Sequence, residues 1–262
     1  MFRITPMVKN LLIINIAIAL FQSITHIALD DWFALRVVFS DYFQPYQIFT
    51  YMWLHGGFRH IFGNMLILFF AGPMLENMWG PKRFLIFYLA CGIGGGVLFG
   101  AADFFEKGQI VEQRDEFFAD PNPEKFRIFV LNHSSGGFDR RLDILSKEYY
   151  DDPSNQMLEN QAKVVVDEIS SFYIDGIMVG ASGAIYGILM ALLLLFPNSL
   201  VYIYFLFPIK IKYLVSALII YEVWAELHRV PGDTVAHLAH LGGAAIGYIL
   251  IRYWGGQRNR FY

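Results

Sequence analysis

Two residues that could act together as nucleophile and base lie in separate apolar stretches of this 262-residue chain. Ser182 lies within Ile177–Phe196, and His240 lies within Val235–Trp254. Each stretch has roughly 20 residues, enough to cross a bilayer as a helix. A serine alone often serves only helix packing in membranes. An ionisable side chain at that depth usually marks a functional site, and imidazole is the usual base for a serine hydroxyl. The pair therefore predicts catalysis, with Ser182 as nucleophile and His240 as base.

Two further polar residues are candidates for stabilising the charge that such a reaction creates. Attack on an amide places negative charge on the carbonyl oxygen, so hydrogen-bond donors must point at that oxygen. His60 and Asn64 are four residues apart and lie on one face of a predicted helix, His60–Trp79. With the backbone N–H of Ser182, near the start of its own helix, they are the predicted oxyanion donors.

Small residues lie beside both members of the predicted pair. Two glycine pairs have the spacing that lets membrane helices approach closely, Gly183 with Gly187 and Gly243 with Gly247. Close packing of these helices is also what the proposed chemistry requires. Tyr186 follows Ser182 by about one helical turn, where its ring either packs against the imidazole or is a purely structural aromatic.

Composition places the chain among polytopic membrane proteins. Hydrophobic residues make up 56% and aromatic residues 17% of the chain, and the mean hydropathy is +0.42, which is too apolar for a soluble domain. The net charge of −3 gives no indication of nucleic acid binding, which usually requires a basic surface. Cys91 is the single cysteine, so no internal disulfide can form.

The predicted fold is an all-α bundle of six transmembrane helices with a polar insertion between the third and fourth. Residues 1–102 form the membrane domain of helices 1–3, and residues 176–262 carry helices 4–6 and a short cytoplasmic tail. The aromatic stretch Leu29–Arg59 is predicted to be an interfacial loop. The predicted spans are Met7–Ala28, His60–Trp79, Phe84–Ala102, Ile177–Phe196, Pro208–Ala225 and Val235–Trp254.

The insertion, residues 103–175, is charged and polar and too long for a plain connection. Phe126–Leu131 is predicted to be a short strand, whereas Asp139–Tyr150 and Gln156–Phe172 have helical spacing of their apolar residues. The segment could be a solvated loop, a small cap on the membrane domain, or an element for substrate gating or partner binding.

The distribution of basic residues predicts the orientation. Lysine and arginine are concentrated in the short loops on one side of the six spans, and such loops are cytoplasmic. Both termini are therefore expected in the cytoplasm and the insertion outside. His60, Ser182 and His240 then all lie near the outer ends of their helices.

Taken together, the motifs resemble those of the rhomboid family of intramembrane serine proteases, of the bacterial type. The matching residues are His60-x-x-x-Asn64, Gly180-x-Ser182-Gly183 followed by Tyr186, and His240-x-x-Gly243-x-x-x-Gly247. The resemblance covers nearly all of the chain except the insertion. One departure is the lack, in Leu29–Arg59, of a Trp-Arg pair that bacterial members often carry.

The resemblance implies both an activity and a setting for it. The active site would lie below the membrane surface and open to water from outside. Ser182 and His240 would form a dyad with no acid, and His60, Asn64 and the Ser182 N–H would form the oxyanion hole. Substrates would be single-span membrane proteins, cut near the membrane surface. No cofactor or nucleic acid partner is implied, and the protein would lie in the plasma (inner) membrane of a bacterium.

Two other functions remain open from the sequence. A metal-binding membrane protein could use His55, His60, His237 and His240 as ligands, although the HExxH motif is absent. A catalytically silent rhomboid-like protein that binds membrane clients is the other alternative, and the presence of both Ser182 and His240 argues against it. His237, one turn before His240, is predicted to lie at the water boundary. The spacing to Gly243 and Gly247 selects His240 as the base.

Overall fold

The computed structural model describes residues 3–25, 27–133, 140–203, 207–228 and 235–255. Over these residues the chain is an all-α membrane protein with one short β-hairpin. A 3₁₀ turn covers Tyr51–Trp53. The helices are α1 Pro6–Thr25, α2 Leu29–Phe33, α3 Gln47–Thr50, α4 Phe58–Trp79, α5 Pro81–Ala119, α6 Pro123–His133, α7 Arg140–Asp151, α8 Gln156–Ile174, α9 Ser182–Leu195, α10 Ile211–Leu227 and α11 His237–Gly255.

Within the described part of the chain, three helices, α1, α4 and α5, are long and apolar enough to cross a membrane. Large side chains on α1 such as Ile13, Leu20 and Ile24 are exposed, as expected for a helix that faces lipid. The other predicted spans correspond to the apolar 14-residue helix α9, the 17-residue helix α10 and the 19-residue helix α11. The count of six spans stays a prediction, and the predicted C-terminal tail beyond residue 255 lies outside the described residues.

A buried carboxylate fastens α1 to α4. Glu76, which is 3% exposed, accepts hydrogen bonds from the Thr5 hydroxyl at 2.5 Å and from the backbone N–H groups of Met7 and Val8 at 3.0 and 2.9 Å. These N–H groups belong to the start of α1, where no intrahelical partner exists. A negative charge at this end also complements the helix dipole. Glu76 therefore has a structural role at the end of α4 opposite to His60.

The centre of the membrane part is formed by α5, α9 and α11. Their shared core includes Phe87, Cys91, Ala184, Ile188 and Ala239, all buried. The chain turns into α5 at Gly80, whose φ is +77°, and Pro81 occupies the first turn. The third span was predicted to end at Ala102, but α5 continues without a break to Ala119.

The insertion folds into a helical bundle made by the end of α5 with α6, α7 and α8. This bundle has its own apolar core, formed by Ile110, Phe117, Phe126, Phe129, Val130, Tyr149, Leu158, Ala162 and Val166. The prediction of a strand at Phe126–Leu131 was wrong, because these residues lie in α6. Phe126, Phe129 and Val130 are buried at spacings of three and four, so a helix places them on one face.

The fourth span also differs from its prediction at its start. Ile177–Phe196 was expected to be one helix, but α9 begins only at Ser182. Met178 instead pairs with Leu35 in an isolated β-bridge, and Gly180 has a φ of +126°, which a helix cannot contain. After α9, strands β1 (Leu200–Ile203) and β2 (Phe207–Lys210) form an antiparallel hairpin that leads into α10.

Candidate active site

Ser182 is held by an extended segment that is hydrogen-bonded to the first loop. Met178 exchanges two backbone hydrogen bonds with Leu35, at 2.9 and 3.0 Å, and the Gly180 N–H donates to the Tyr51 carbonyl at 3.0 Å. Ser182 is then the first residue of α9. The first N–H groups of a helix have no intrahelical acceptor, and the Ser182 N–H is one of them.

Gly180 brings the His60 ring next to this serine. A side chain at position 180 would place its Cβ 2.5 Å from Cε1 and 2.6 Å from Nε2 of His60, and 3.6 Å from Oγ of Ser182. The His60 imidazole and the Ser182 hydroxyl therefore both lie within 4 Å of the position that a Cβ at residue 180 would occupy. Only glycine suits this position, because both the positive φ and the approach of the ring exclude a side chain.

Gly183 and Gly187 of α9 lie against Gly243 and Gly247 of α11, and these four glycines form the contact between the two helices. A Cβ on Gly243 would lie 1.9 Å from the Gly183 carbonyl oxygen, and one on Gly247 would lie 3.0 Å from the Gly187 oxygen. The two backbones thus touch, as small-residue spacing predicts. Helix α5 also packs closely against α11, since a Cβ added at Gly95 of α5 would lie 2.6 Å from the carbonyl oxygen of Ala239. These contacts fix α11, which carries His240, against the start of α9.

Tyr186 stacks on His240. The two rings are 4.3 Å apart between centroids, and their planes differ by 7°. Tyr186 lies one turn after Ser182 on α9, so its contact with the imidazole joins the two helices that carry the predicted pair. The ring covers one face of His240 and limits its rotation.

An acidic residue outside the predicted set also lies at this site. Glu222 of α10 is 3% exposed, and its Oε2 lies 3.0 Å from Nδ1 of His240. The direction of this contact falls outside hydrogen-bond geometry. Glu222 does accept a hydrogen bond from the Tyr186 hydroxyl on Oε1 and one from His237 Nδ1 on Oε2, at 2.5 Å. A carboxylate inside an apolar predicted span was the signal that could have identified it.

His237 is not at the water boundary, and that prediction was wrong. It is 3% exposed, and its Nδ1 bonds to Glu222. The residue lies in the first turn of α11 and turns toward α10 rather than toward solvent. A buried imidazole needs a polar partner, and the unnoticed carboxylate of Glu222 supplies one.

The two predicted donors on α4 are placed differently. His60 borders Gly180 and Ser182, as described above. Asn64 is 6% exposed, and its Nδ2 has no hydrogen-bond partner among the described residues. A buried unpaired donor is costly in a native protein unless it has a function. Asn64 is therefore available to bond a group that enters the site.

His55 lies in the loop before α4, with its ring centroid 5.2 Å from that of His60. It is 7% exposed. Burial, with the neighbouring His60 ring as a second cause, lowers the pKa of His55 to about 4. The ring is accordingly neutral at physiological pH.

Among the residues that the structure describes, one group of side chains has the spacing of a metal site. Single ligand atoms of Glu222, His237 and His240 lie within 4.8 Å of one another. The group differs from the four histidines that the sequence suggested, since His55 and His60 are not in it. Hydrogen bonding already accounts for the approach of His237 to Glu222.

The side chains at this site are of the types that acyl transfer uses. Nδ1 of His240 faces Glu222, which leaves Nε2 as the nitrogen available to accept a proton. Ser182 supplies a hydroxyl and a backbone N–H at a helix start, and the side chains of His60 and Asn64 carry further N–H groups. These are the parts that serine hydrolases require.

Comparison with known proteins agrees with the motifs. The family described as the rhomboid domain matches residues 42–107 and 156–256. RHOMBOID-like protein 2 of Arabidopsis thaliana is 42% identical over 55 residues, which cover 21% of this chain and 17% of the relative. Rhomboid protease GluP of Bacillus subtilis is 40% identical over 52 residues, covering 20% and 10%. Inactive RHOMBOID-like protein 8 of Arabidopsis thaliana is 32% identical over 76 residues, covering 29% and 20%.

The family match extends over more than half of the chain and includes α4, α9, α10 and α11, which carry the site. The alignments with these individual relatives cover a fifth or less of each relative's length. The family includes serine proteases as well as inactive members, and its proteases act on membrane proteins within the bilayer. On its motifs, its helical membrane fold and this match, the chain belongs to the rhomboid family.

Proposed function

We propose that this protein is an intramembrane serine endopeptidase that cuts single-span membrane proteins in or near their transmembrane segments. The observation that supports this most directly is the glycine contact between α9 and α11. It holds the helix that begins at Ser182 against the helix that carries His240. A silent scaffold has no need of both residues in this setting.

In the proposed reaction, Ser182 Oγ attacks the scissile carbonyl carbon while its proton passes to Nε2 of His240. The imidazolium then gives that proton to the leaving amine, and the C–N bond breaks. Water attacks the resulting acyl-enzyme by the same route, with His240 again as base, and restores the serine. No cofactor takes part in these steps.

Charge on the carbonyl oxygen is stabilised by the Ser182 N–H, His60 and Asn64. The unpaired Nδ2 of Asn64 supports this role, as does the position of His60 against Gly180. Preorganised donors are effective because they need no reorganisation during the reaction.

The proposal includes the membrane setting. The protein is an integral membrane protein, and we place both termini in the cytoplasm, the insertion outside and the protein in a bacterial plasma membrane. The substrate helix must unwind to expose a peptide bond, which favours segments with small or helix-breaking residues near the membrane surface.

Labelling with a serine-directed fluorophosphonate tests the proposal together with cleavage of a single-span substrate in liposomes. Ser182→Ala and His240→Ala should each abolish cleavage, and Ser182→Ala should abolish labelling. Ser170→Ala and His133→Ala change the same residue types in the insertion's bundle and should retain both activities. Labelling that persists in folded Ser182→Ala would refute the assignment.

The alternative function is client binding without catalysis. One Arabidopsis relative is named an inactive RHOMBOID-like protein, so loss of catalysis occurs among the relatives. A silent protein would neither cleave nor label, and Ser182→Ala would leave its client binding unchanged. A metal-dependent function would instead show bound metal in the purified protein and loss of activity with a chelator.

A further inference from the structure

We infer that Glu222 is a positioning residue for His240, so that the site works as a Ser182–His240–Glu222 triad. The resemblance to the family implied a dyad with no acid, and nothing in the motifs includes α10. This inference rests on the proposed protease function. It adds the group that orients the base.

The first support is the position of the carboxylate. Glu222 Oε2 lies 3.0 Å from Nδ1 of His240, on the side of the ring away from the nitrogen that must meet Ser182. An acidic oxygen at Nδ1 favours the tautomer with its proton on that atom and leaves Nε2 as the base. It also stabilises the imidazolium that forms during attack.

The second support is that Glu222 is itself held in place. The Tyr186 hydroxyl donates to Oε1 and His237 Nδ1 donates to Oε2. Tyr186 also stacks on His240, so one residue orients both the carboxylate and the imidazole. A carboxylate with two donors and only 3% exposure is preorganised.

The third support is the incomplete contact itself. The approach of His240 to Glu222 has the distance of a hydrogen bond without its direction. Catalytic hydrogen bonds are often poorly aligned without substrate and tighten in the Michaelis or transition-state complex. For His240 and Glu222, such tightening would require only a change of direction, because the distance is already 3.0 Å. His237, which bonds the same oxygen, competes for it and sets how strongly Glu222 acts on His240.

Glu222→Gln is the decisive variant, because it retains the shape and removes the charge. We expect kcat to fall about 10- to 100-fold, the rate equivalent of one charge-assisted hydrogen bond. KM should stay within about twofold, since Glu222 binds no substrate. The rate of fluorophosphonate labelling of Ser182 should fall in the same proportion, although labelling still goes to completion.

Glu76→Gln is the matched control. Glu76 has the same 3% exposure and accepts three hydrogen bonds, but it caps α1. The Glu76→Gln substitution should lower the melting temperature and leave the labelling rate of folded protein unchanged. Glu222→Asp retains the charge with worse packing, so activity in the order Glu, Asp, Gln supports positioning. The order Glu, Gln, Asp would assign Glu222 a structural role and overturn the inference.

The outcomes separate this inference from the proposed function. Labelling that persists in Ser182→Ala defeats the protease proposal itself. Labelling lost in Ser182→Ala but normal in Glu222→Gln defeats only the triad, as does inhibition of wild-type protein by a chelator together with bound metal. If the Glu222 variants do not fold, Tyr186→Phe removes the donor to Oε1 and keeps the stacked ring. It should lower kcat with KM unchanged, and an unchanged kcat would contradict the inference.

Discussion

Gly243→Ala tests whether the contact between α9 and α11 holds Ser182 and His240 in register. The added methyl group would lie 1.9 Å from the Gly183 carbonyl oxygen, 2.5 Å from its carbon and 2.9 Å from its Cα. These are backbone atoms of a helix, so no side-chain rotation can relieve the overlap. The two helices must therefore move apart.

The size of that movement follows from the distances. Ordinary contact between such atoms begins above 3 Å, so the backbones must separate by at least about 1 Å. His240 lies three residues before Gly243 on the same face of α11 and moves with it. A misplacement of about 1 Å between reacting groups costs roughly 10²-fold in rate. Overpacking of this kind also lowers the free energy of unfolding by about 1–3 kcal/mol.

Cleavage of a single-span substrate, fluorophosphonate labelling and thermal unfolding in detergent measure these effects. We expect Gly243→Ala to lose about 10²-fold in both reactions and to melt earlier than wild type. Gly100→Ala is the matched control, since Gly100 is also within a helix and a Cβ there meets no atom within 4 Å. Alanine favours a helix over glycine by up to about 1 kcal/mol, so this control should not be destabilised. Wild-type activity and melting in Gly243→Ala would refute the reasoning.

Two further predictions concern polar groups near the site. Asn64→Ala removes an unpaired buried donor and should slow cleavage by up to about 10²–10³-fold with little loss of stability, as kinetics and melting can show; an unchanged rate would remove Asn64 from the oxyanion hole. The pKa of His55 is about 4 in the folded protein against 6.5 in the unfolded chain, so the unfolded chain binds more protons between these values. The contribution of His55 to the free energy of unfolding should therefore be fully present above about pH 6.5. It should decrease by about 3 kcal/mol on acidification to pH 4. His55→Phe should weaken this pH dependence in thermal unfolding, and an unchanged dependence would contradict the assignment.

The helical periodicity and the glycine spacing predicted much of the architecture. The predicted span at His60–Trp79 differs from α4 by two residues at its start. The glycine pairs on α9 and α11 do meet. Spacing of this kind can be recognised in a sequence because it depends only on which residues share one face of a single helix.

What the sequence could not provide were contacts between helices that lack a shared motif. Glu222 lies on α10 and meets His240 of α11 and Tyr186 of α9 only after the bundle forms. His237 was misplaced for the same reason, since its partner had not been recognised. The start of α9 was predicted too early because Gly180 does not differ in hydropathy from a residue inside a helix. Its φ of +126° depends on the neighbouring His60 ring and Tyr51 carbonyl.

The unbroken length of α5 has a mechanical consequence. Its 39 residues measure roughly 58 Å at 1.5 Å per residue, about twice the thickness of a hydrocarbon core. One end packs its glycines against α9 and α11, and the other end contributes Ile110 and Phe117 to the bundle of α6–α8. The two ends belong to one continuous helix, so α5 connects them rigidly. A displacement of the bundle would therefore be passed along α5 to the helices that carry Ser182 and His240.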